Sequence, residues 1–224
     1  MKISENQEPQ GTDGPTRGQK SRSGPIGGSR AQDETLVGRC RRGNMAAFGQ
    51  LTVKYQHRLF NAILRIVGNH DDALELTQEA FVRALQGLKN FRGQAGFYTW
   101  LFRIGVNLSL NHRQRQKHVS FTSLQGQAEE FGGQADGLAA LIEGADPSPA
   151  HQAQMQEEHQ RVLAAMEKLD DNARAVVVLR DIEGFSYAEI GEILETPVGT
   201  VKSRISRARM ALREVLLAKK TQPK

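Results

Sequence analysis

The stretch LRDIEGFSYAEIGEILETPVGTVKSRISRAR, residues 179–209, decides the fold. Within it Ser186-Tyr187-Ala188-Glu189 has the form of a capping box, in which the serine hydroxyl and the glutamate carboxylate satisfy each other's exposed backbone amides. The short helix YAEIGEILE follows, and Gly184 just ahead of it suits a left-handed cap on the preceding helix. Thr196-Pro197 then gives a second start, a cap residue followed by proline at the first helical position, after only a tight turn. Two helices joined this closely make a helix-turn-helix. In the second helix Val201, Ile205, Ala208 and Leu212 share one face, while Thr200, Lys202, Ser203, Ser206, Arg207 and Arg209 lie largely elsewhere. One face packs, and the other suits a DNA groove: small Ser and Thr permit close approach, and Lys and Arg reach base acceptors or phosphates.

Working outward, Asp170 or Asp171 caps the run ARAVVVLRDIE, whose three valines are locally strand-like but whose flanks are helical and lack any partner strand. Ser148-Pro149 opens a further helix, with Met155, Val162, Leu163, Met166 and Leu169 as its apolar stripe. Before it, His118–Gln160 contains no Lys or Arg but holds Glu129, Glu130, Asp136, Glu143, Asp146, Glu157 and Glu158 among Gly and Pro breaks, the composition of an acidic linker, with a short helical turn at LAALI. Four helices precede it. Asp33 caps one that carries Leu36 and Val37 and ends at Gly43; a second runs from Asn44 to Val67 with Gly68 as its stop. A third starts near Asp71 with Leu76, Ala80, Leu85 and Leu88 facing inward and an acidic, amidic outer face. The fourth, residues 97–117, places Phe97, Leu101, Ile104 and Leu108 on one stripe. Residues 1–32 are Gly, Pro, Ser, Gln and charge, with almost nothing to bury, and read as a disordered tail.

The 224 residues suffice for two small helical domains, and a net charge of +5 points to an anionic partner. Cys40 is the only cysteine, which leaves no intrachain disulfide or thiolate cluster, reads as a small buried thiol, and fits a reducing, cytoplasmic setting. Neither an export signal nor a stretch approaching ~18 apolar residues is present, so no membrane insertion is expected. Glycine-rich phosphate loops, metal-spaced His/Cys clusters and nucleophile elbows are lacking too, and the expectation is a non-enzyme without cofactor. His57, His70 and His112 are scattered surface or packing residues.

A second constellation lies at residues 91–102, where Phe91, Phe97, Tyr98, Trp100 and Phe102 cluster beside Arg92 and Arg103. Aromatic faces interleaved with arginine suit unstacked bases, although Phe97 belongs to the core stripe. Trp100, Arg103, Asn107 and Asn111 flank that stripe at offsets that give one polar, stacking edge.

LTQEAFVRAL (76–85), FRGQAGFYTWLFRIGVN (91–107) and the stretch at 179–209 together resemble, in order and spacing, the extracytoplasmic-function (ECF) sigma factors of RNA polymerase, the envelope-stress sigma-E type among them. The resemblance covers about residues 34–117 and 158–217. It implies an all-α fold of two small helical domains joined by a flexible acidic linker: tail 1–32, a sigma-two domain at 33–117, linker 118–147, and a sigma-four helix-turn-helix domain at 148–218. Implied partners are core RNA polymerase, promoter DNA and an anti-sigma factor. Asp72, Glu75, Gln78 and Glu79 fall where the family docks on polymerase. Tyr98, Trp100, Arg103, Asn107 and Asn111 fall in the region that melts and reads the minus-ten element. Thr200, Lys202, Ser203, Arg204, Ser206, Arg207 and Arg209 fall in the helix that reads the minus-thirty-five element, Arg204 and Arg209 better suited to the DNA backbone. The linker would pass through the polymerase's nucleic-acid channels, its acidity imitating RNA. The chain departs from many relatives at Ala95-Gly96, where serine often caps the fourth helix, at Glu75, where aspartate is frequent, and at Lys202, where arginine's bidentate fork is lost. A stand-alone helix-turn-helix regulator is the alternative, set apart by the lack of any ligand or receiver module in the first half.

Overall fold

The computed structural model describes residues 29–123 and 161–218, and every regular element among them is helical. The first helix, α1 (Ser29–Arg41), begins ahead of the expected start, and Asp33 is not its cap. Asp33 lies inside the helix and is 3% exposed; its carboxylate receives Lys54 Nζ at 2.5 Å and the hydroxyl of Tyr55. Partners more than 20 residues away therefore outweigh this aspartate's local preference for a cap. Helix α2 (Met45–Val67) starts as its sequence indicates, with Asn44 accepting from the amide of Ala47, and ends on Gly68, whose φ of 83° suits a residue without Cβ. Helix α3 (His70–Gly87) is capped by Asn69, which accepts from the amides of Asp71 and Asp72, so Asp71 is a first-turn residue and not the start itself. A single 3-10 turn, Leu88–Asn90, leads to the loop before α4 (Phe97–Ser123), which is longer than the expected 97–117.

These four helices pack as a bundle around Leu51, Leu59, Ile63, Ile66, Leu101 and Phe102, all fully buried. The α2–α4 crossing is close because Gly105 faces Leu59: a Cβ there would stand 2.9 Å from Leu59 Cδ1. Cys40 is buried in the same bundle, and burial pushes its thiol up, away from a reactive thiolate.

The second domain begins, among the described residues, with α5 (residues 161–167), which buries Ala165 and Met166 but leaves Val162 exposed, outside the expected stripe. Residues 148–160, with Met155 and the Ser148-Pro149 start, lie outside the described residues, as do the tail up to residue 28 and the LAALI segment. Asp170 caps α6 (Asp171–Val177) by accepting from the amide of Ala173. The helix then widens into a π turn over Val178–Ile182, closed by Glu183 N to Val178 O at 3.0 Å, and Gly184 turns the chain at φ 79°. The extra residue shifts the following side chains by about 100° relative to an unbroken α-helix. Helices α7 (Tyr187–Ile193) and α8 (Val198–Ala218) form the helix-turn-helix. Its turn is tight: Thr196 N donates to Gly191 O, and a Cβ on Gly191 would lie 2.9 Å from Thr196 O.

The two domains touch. Phe185, fully buried, stacks on Tyr98 with centroids 4.9 Å apart and planes at 15°, and meets Phe102 at 5.1 Å, so the two apolar interiors are continuous.

Candidate nucleic-acid interface

Helix α8 owes its orientation to Val201, Ile205 and Ala208, all buried, with Leu212 partly so. At 100° per residue, Ser203, Ser206 and Arg207 then point outward, and Arg204 and Arg209 sit at the two edges of the core stripe. Lys202, Ser203, Ser206, Arg207 and Arg209 are exposed; Thr200 and Arg204 are half-buried. The Ser203 hydroxyl donates to Thr200 O at 2.9 Å. Its oxygen remains available as an acceptor. The predicted capping box is complete, with Ser186 N to Glu189 Oε2 at 2.8 Å and Glu189 N to Ser186 Oγ at 3.2 Å.

Two features of this surface go beyond the sequence reading. Arg209 is in a forked ion pair with Asp181 of the π turn, its Nε at 3.1 Å and its Nη2 closer, and the hydrogen bond raises the guanidinium's pKa further. Tyr187, absent from the candidate set, stands between Arg180 and Lys202, whose charges lie 4.7 and 5.9 Å from its ring centroid. With Ser206, Arg209, Met210 and Arg213 it lines an open cavity of about 330 Å³. An aromatic residue one position after a cap, next to a basic helix, is the signal that marks it.

On the first domain, the loop after the 3-10 turn and the start of α4 enclose a larger cavity of about 480 Å³, lined by Phe91, Arg92, Thr99, Trp100 and Arg103. Trp100 is half-buried and forms a wall against Phe91 and Phe97, with centroids 4.8 and 5.9 Å away. Tyr98 does not face this space: it is 8% exposed, packed on Phe185, and donates its hydroxyl to Glu183 Oε2 at 3.0 Å. Burial, then the charge of Glu183, push its phenol well above its usual range, against the pull of Arg58. Glu192 of α7 and Glu195 in the turn that follows it also line the cavity.

Asn107 is half-buried and Asn111 exposed, and Asn111 opens instead on a small cleft of about 100 Å³ shared with Glu75, Glu79, Arg83, His112 and Arg115. One candidate base reader, Asn111, thus meets two candidate polymerase contacts, Glu75 and Glu79, between α3 and α4. Glu75 and Gln78 are exposed, whereas Glu79 is bound by Arg83 at 2.9 Å. Asp72 turns toward α4: Gln116 donates to it at 3.1 Å, and His112 Nε2 lies 3.1 Å away without hydrogen-bonding geometry.

Arg174 is the charged residue the sequence reading passed over. It is 2% exposed and donates to the carbonyls of Met166, Glu167 and, across the domain boundary, Ile66 at 2.8–3.0 Å; burial first, then Arg113, lower its pKa. An arginine inside the apolar run Ala173–Leu179 is its signal, because a buried charge needs dedicated partners.

Residues 51–119 match the family described as Sigma-70 region 2, and residues 159–212 match Sigma-70 region 4. The chain is similar to the RNA polymerase sigma-H factor of Pseudomonas aeruginosa, at 39% identity over 188 residues that cover 83% of this chain and 94% of that protein. It is 35% identical over 184 residues to the ECF RNA polymerase sigma-E factor of Escherichia coli K12, covering 80% and 92%. Among solved structures, that of CnrH in complex with the cytosolic domain of CnrY aligns with a TM-score of 0.59 at 27% identity, covering 84% of this chain and 98% of that one. The sigma factor RpoE in complex with the anti-sigma factor NepR, from Bartonella quintana, has the same fold, with a TM-score of 0.59 at 24% identity over 75% and 96%.

Proposed function

Since the chain belongs to the ECF RNA polymerase sigma factors, we propose how its own residues divide the work of promoter-specific transcription initiation. That work is the chain's function, and it needs both sigma regions in one polypeptide. A stand-alone regulator would not need the first of them. Sigma factors are initiation factors, and the bond-forming chemistry belongs to polymerase, so the assignments below concern binding alone.

Residues 33–117 act as the sigma-two domain and 148–218 as the sigma-four domain, with 118–147 as linker. On the second, Thr200, Lys202, Ser203, Ser206 and Arg207 read base edges of the minus-thirty-five element, while Arg204 and Arg209 neutralise phosphates. On the first, Trp100 and Arg103 hold unstacked minus-ten DNA and Asn107 and Asn111 read bases on the adjoining edge, with Tyr98 in a supporting place beneath them. Glu75, Gln78 and Glu79 present a polar face to core polymerase, and Asp72 braces α3 against α4. An anti-sigma factor is a further partner, as solved relatives occur in such complexes. No helix among the described residues is long and apolar enough to cross a membrane. The cytoplasm is the compartment that work on polymerase and promoter DNA would require.

The observation that carries this reading is the outward face of α8, basic and small-residued above a fully buried stripe and launched by a complete capping box. Footprinting of holoenzyme reconstituted from core polymerase and this chain tests it. Protection at both promoter elements is expected, and protection that survives deletion of residues 148–218 at the upstream element would refute the assignment.

A further inference from the structure

Helix α1 packs its apolar residues into the bundle, but its last residue, Arg41, is exposed and reaches a different part of the first domain. Its Nε donates to the carbonyl of Leu88 at 3.1 Å, 47 residues along the chain, and its Cζ lies 5.9 Å from the centre of the Phe91 ring. The same Leu88 carbonyl accepts the amide of Phe91 at 3.3 Å, the bond that closes the 3-10 turn Leu88–Asn90. Arg41 therefore engages both the backbone oxygen that sets this turn and the ring that leaves it.

Both ends of the turn bear on Trp100. At its exit, buried Phe91 meets the indole with centroids 4.8 Å apart. At its entry, Gly87 lies so close that a Cβ there would stand 3.2 Å from Trp100 Cζ2. The indole is thus seated between the residue before the turn and the residue after it, and its place depends on where the turn is held. A wall fixed before a base arrives does not have to be ordered during binding, which favours capture of an unstacked strand.

We propose that Arg41 is a positioning residue for promoter opening: through Leu88 O and Phe91 it fixes the 3-10 turn on which Trp100 presents its face to minus-ten bases. This rests on the assignment of Trp100 to single-stranded DNA. A direct phosphate contact is the competing role for a cation at the edge of a strand site, and covalent geometry separates the two. Glutamine carries its amide nitrogen as many bonds from Cα as arginine carries Nε, so R41Q keeps a donor for Leu88 O and drops the charge. Lysine keeps the charge and puts a methylene in that place.

The experiment assembles full-length wild type, R41A, R41Q, R41K and W100A with core polymerase. Anisotropy reads binding to a labelled promoter fork whose minus-ten non-template strand is unpaired, with core polymerase alone as the blank. Emission of Trp100, the only tryptophan, is read on the free chain, and circular dichroism and melting confirm that each variant folds. R41A should weaken fork binding about five- to tenfold, the worth of one hydrogen bond and a ring contact. It should also move Trp100 emission to longer wavelength and leave the salt slope unchanged. R41Q should bind within about twofold of wild type, and R41K should resemble R41A. The reverse order, with R41K restoring binding and R41Q losing about 0.7 of salt slope, would overturn the proposal in favour of a phosphate contact. Wild-type fork binding by R41A would overturn it too, as would a loss of binding without any change in Trp100 emission. W100A keeps the underlying site separate: wild-type fork binding by that variant refutes the strand site itself. Loss in W100A beside intact binding in R41A refutes the role of Arg41 alone.

Discussion

The hydroxyl of Tyr98 donates to Oε2 of Glu183 across 85 residues of sequence, and the Arg58 guanidinium lies 4.9 Å from the centroid of the same tyrosine ring. A buried phenol and a buried carboxylate are therefore satisfied together, under a guanidinium that is itself partly exposed. Removing one partner leaves another buried without its bond, which is why such a cluster fixes an arrangement more than it adds net stability.

Tyr98 should make stability fall in alkali. Its folded-state pKa is raised above the ordinary 10.0, by burial first and then by Glu183. Above that pH the unfolded chain releases a proton that the folded chain keeps, so folding stability declines as pH rises past about 10. Y98F should abolish that part of the decline and lower neutral-pH stability by about 1–3 kcal/mol through loss of the donor to Glu183. Urea unfolding at neutral and alkaline pH measures both; an unchanged alkaline slope in the variant would show that Tyr98 is not the group responsible.

Two glycines should respond in opposite directions to alanine. Nothing lies within 4 Å of a Cβ on Gly49 in α2, so G49A should stabilise by up to about 1 kcal/mol through helix propensity. At Gly191 the Cβ meets the backbone carbonyl of Thr196 at 2.9 Å, and a backbone atom in a tight turn cannot move aside as a flexible side chain can. G191A should destabilise by about 1–3 kcal/mol and weaken minus-thirty-five binding with it. Thermal unfolding separates the two.

What was legible in the sequence is what depends on near neighbours. Asn44, Asp170 and the Ser186/Glu189 box satisfy amides within three residues, and Gly68 and Gly184 sit at positive φ where a helix must turn. Local sequence favours Asp33 as a cap, since aspartate before an apolar pair suits one, but Lys54 and Tyr55 hold it inside α1. Spacing and aromaticity group Tyr98 with Trp100, yet only the chain's return through Phe185 determines which ring is covered. The α4 surface carries no local mark of the second domain, since Thr99, Arg113 and Lys117 would serve equally on a solvated helix. Arg174 is absent from the sequence reading, although its setting, a charge among valines, is the kind of signal that points to a distant partner such as Ile66 O.

Core binding should depend on Glu75 and Gln78 more than on Asp72. The first two are exposed, while Asp72 is engaged by Gln116 and faces His112. Substituting Q78A together with E79K should weaken competition for core polymerase and leave unfolding nearly unchanged, although it also removes the Glu79–Arg83 pair, worth about 0.3–0.5 kcal/mol on a helix surface. D72N should do the reverse, lowering stability with little effect on competition. If D72N is the variant that loses polymerase, the docking face has been placed one helical turn too far along α3.

The final prediction concerns how α8 divides base from backbone contacts. Arg207 is exposed on the outward strip, and among the described residues it is tied by a long 3.4 Å bond to Ser203 O. R207A should relax base preference at one minus-thirty-five position, costing about 1–3 kcal/mol of discrimination. Arg209 starts from a different state, since Asp181 already neutralises it within the chain. A phosphate must displace that carboxylate, so R209A should cost affinity about uniformly across sequences and reduce the salt slope by less than the roughly 0.9 of a free cation. Releasing the arginine with D181N should strengthen binding to all sequences alike and steepen the salt slope toward that full value. Binding to randomised duplexes at two salt concentrations compares the three variants. A D181N chain with unchanged salt dependence would mean that Arg209 never meets the DNA backbone, and that its ion pair serves only to anchor the π turn to α8.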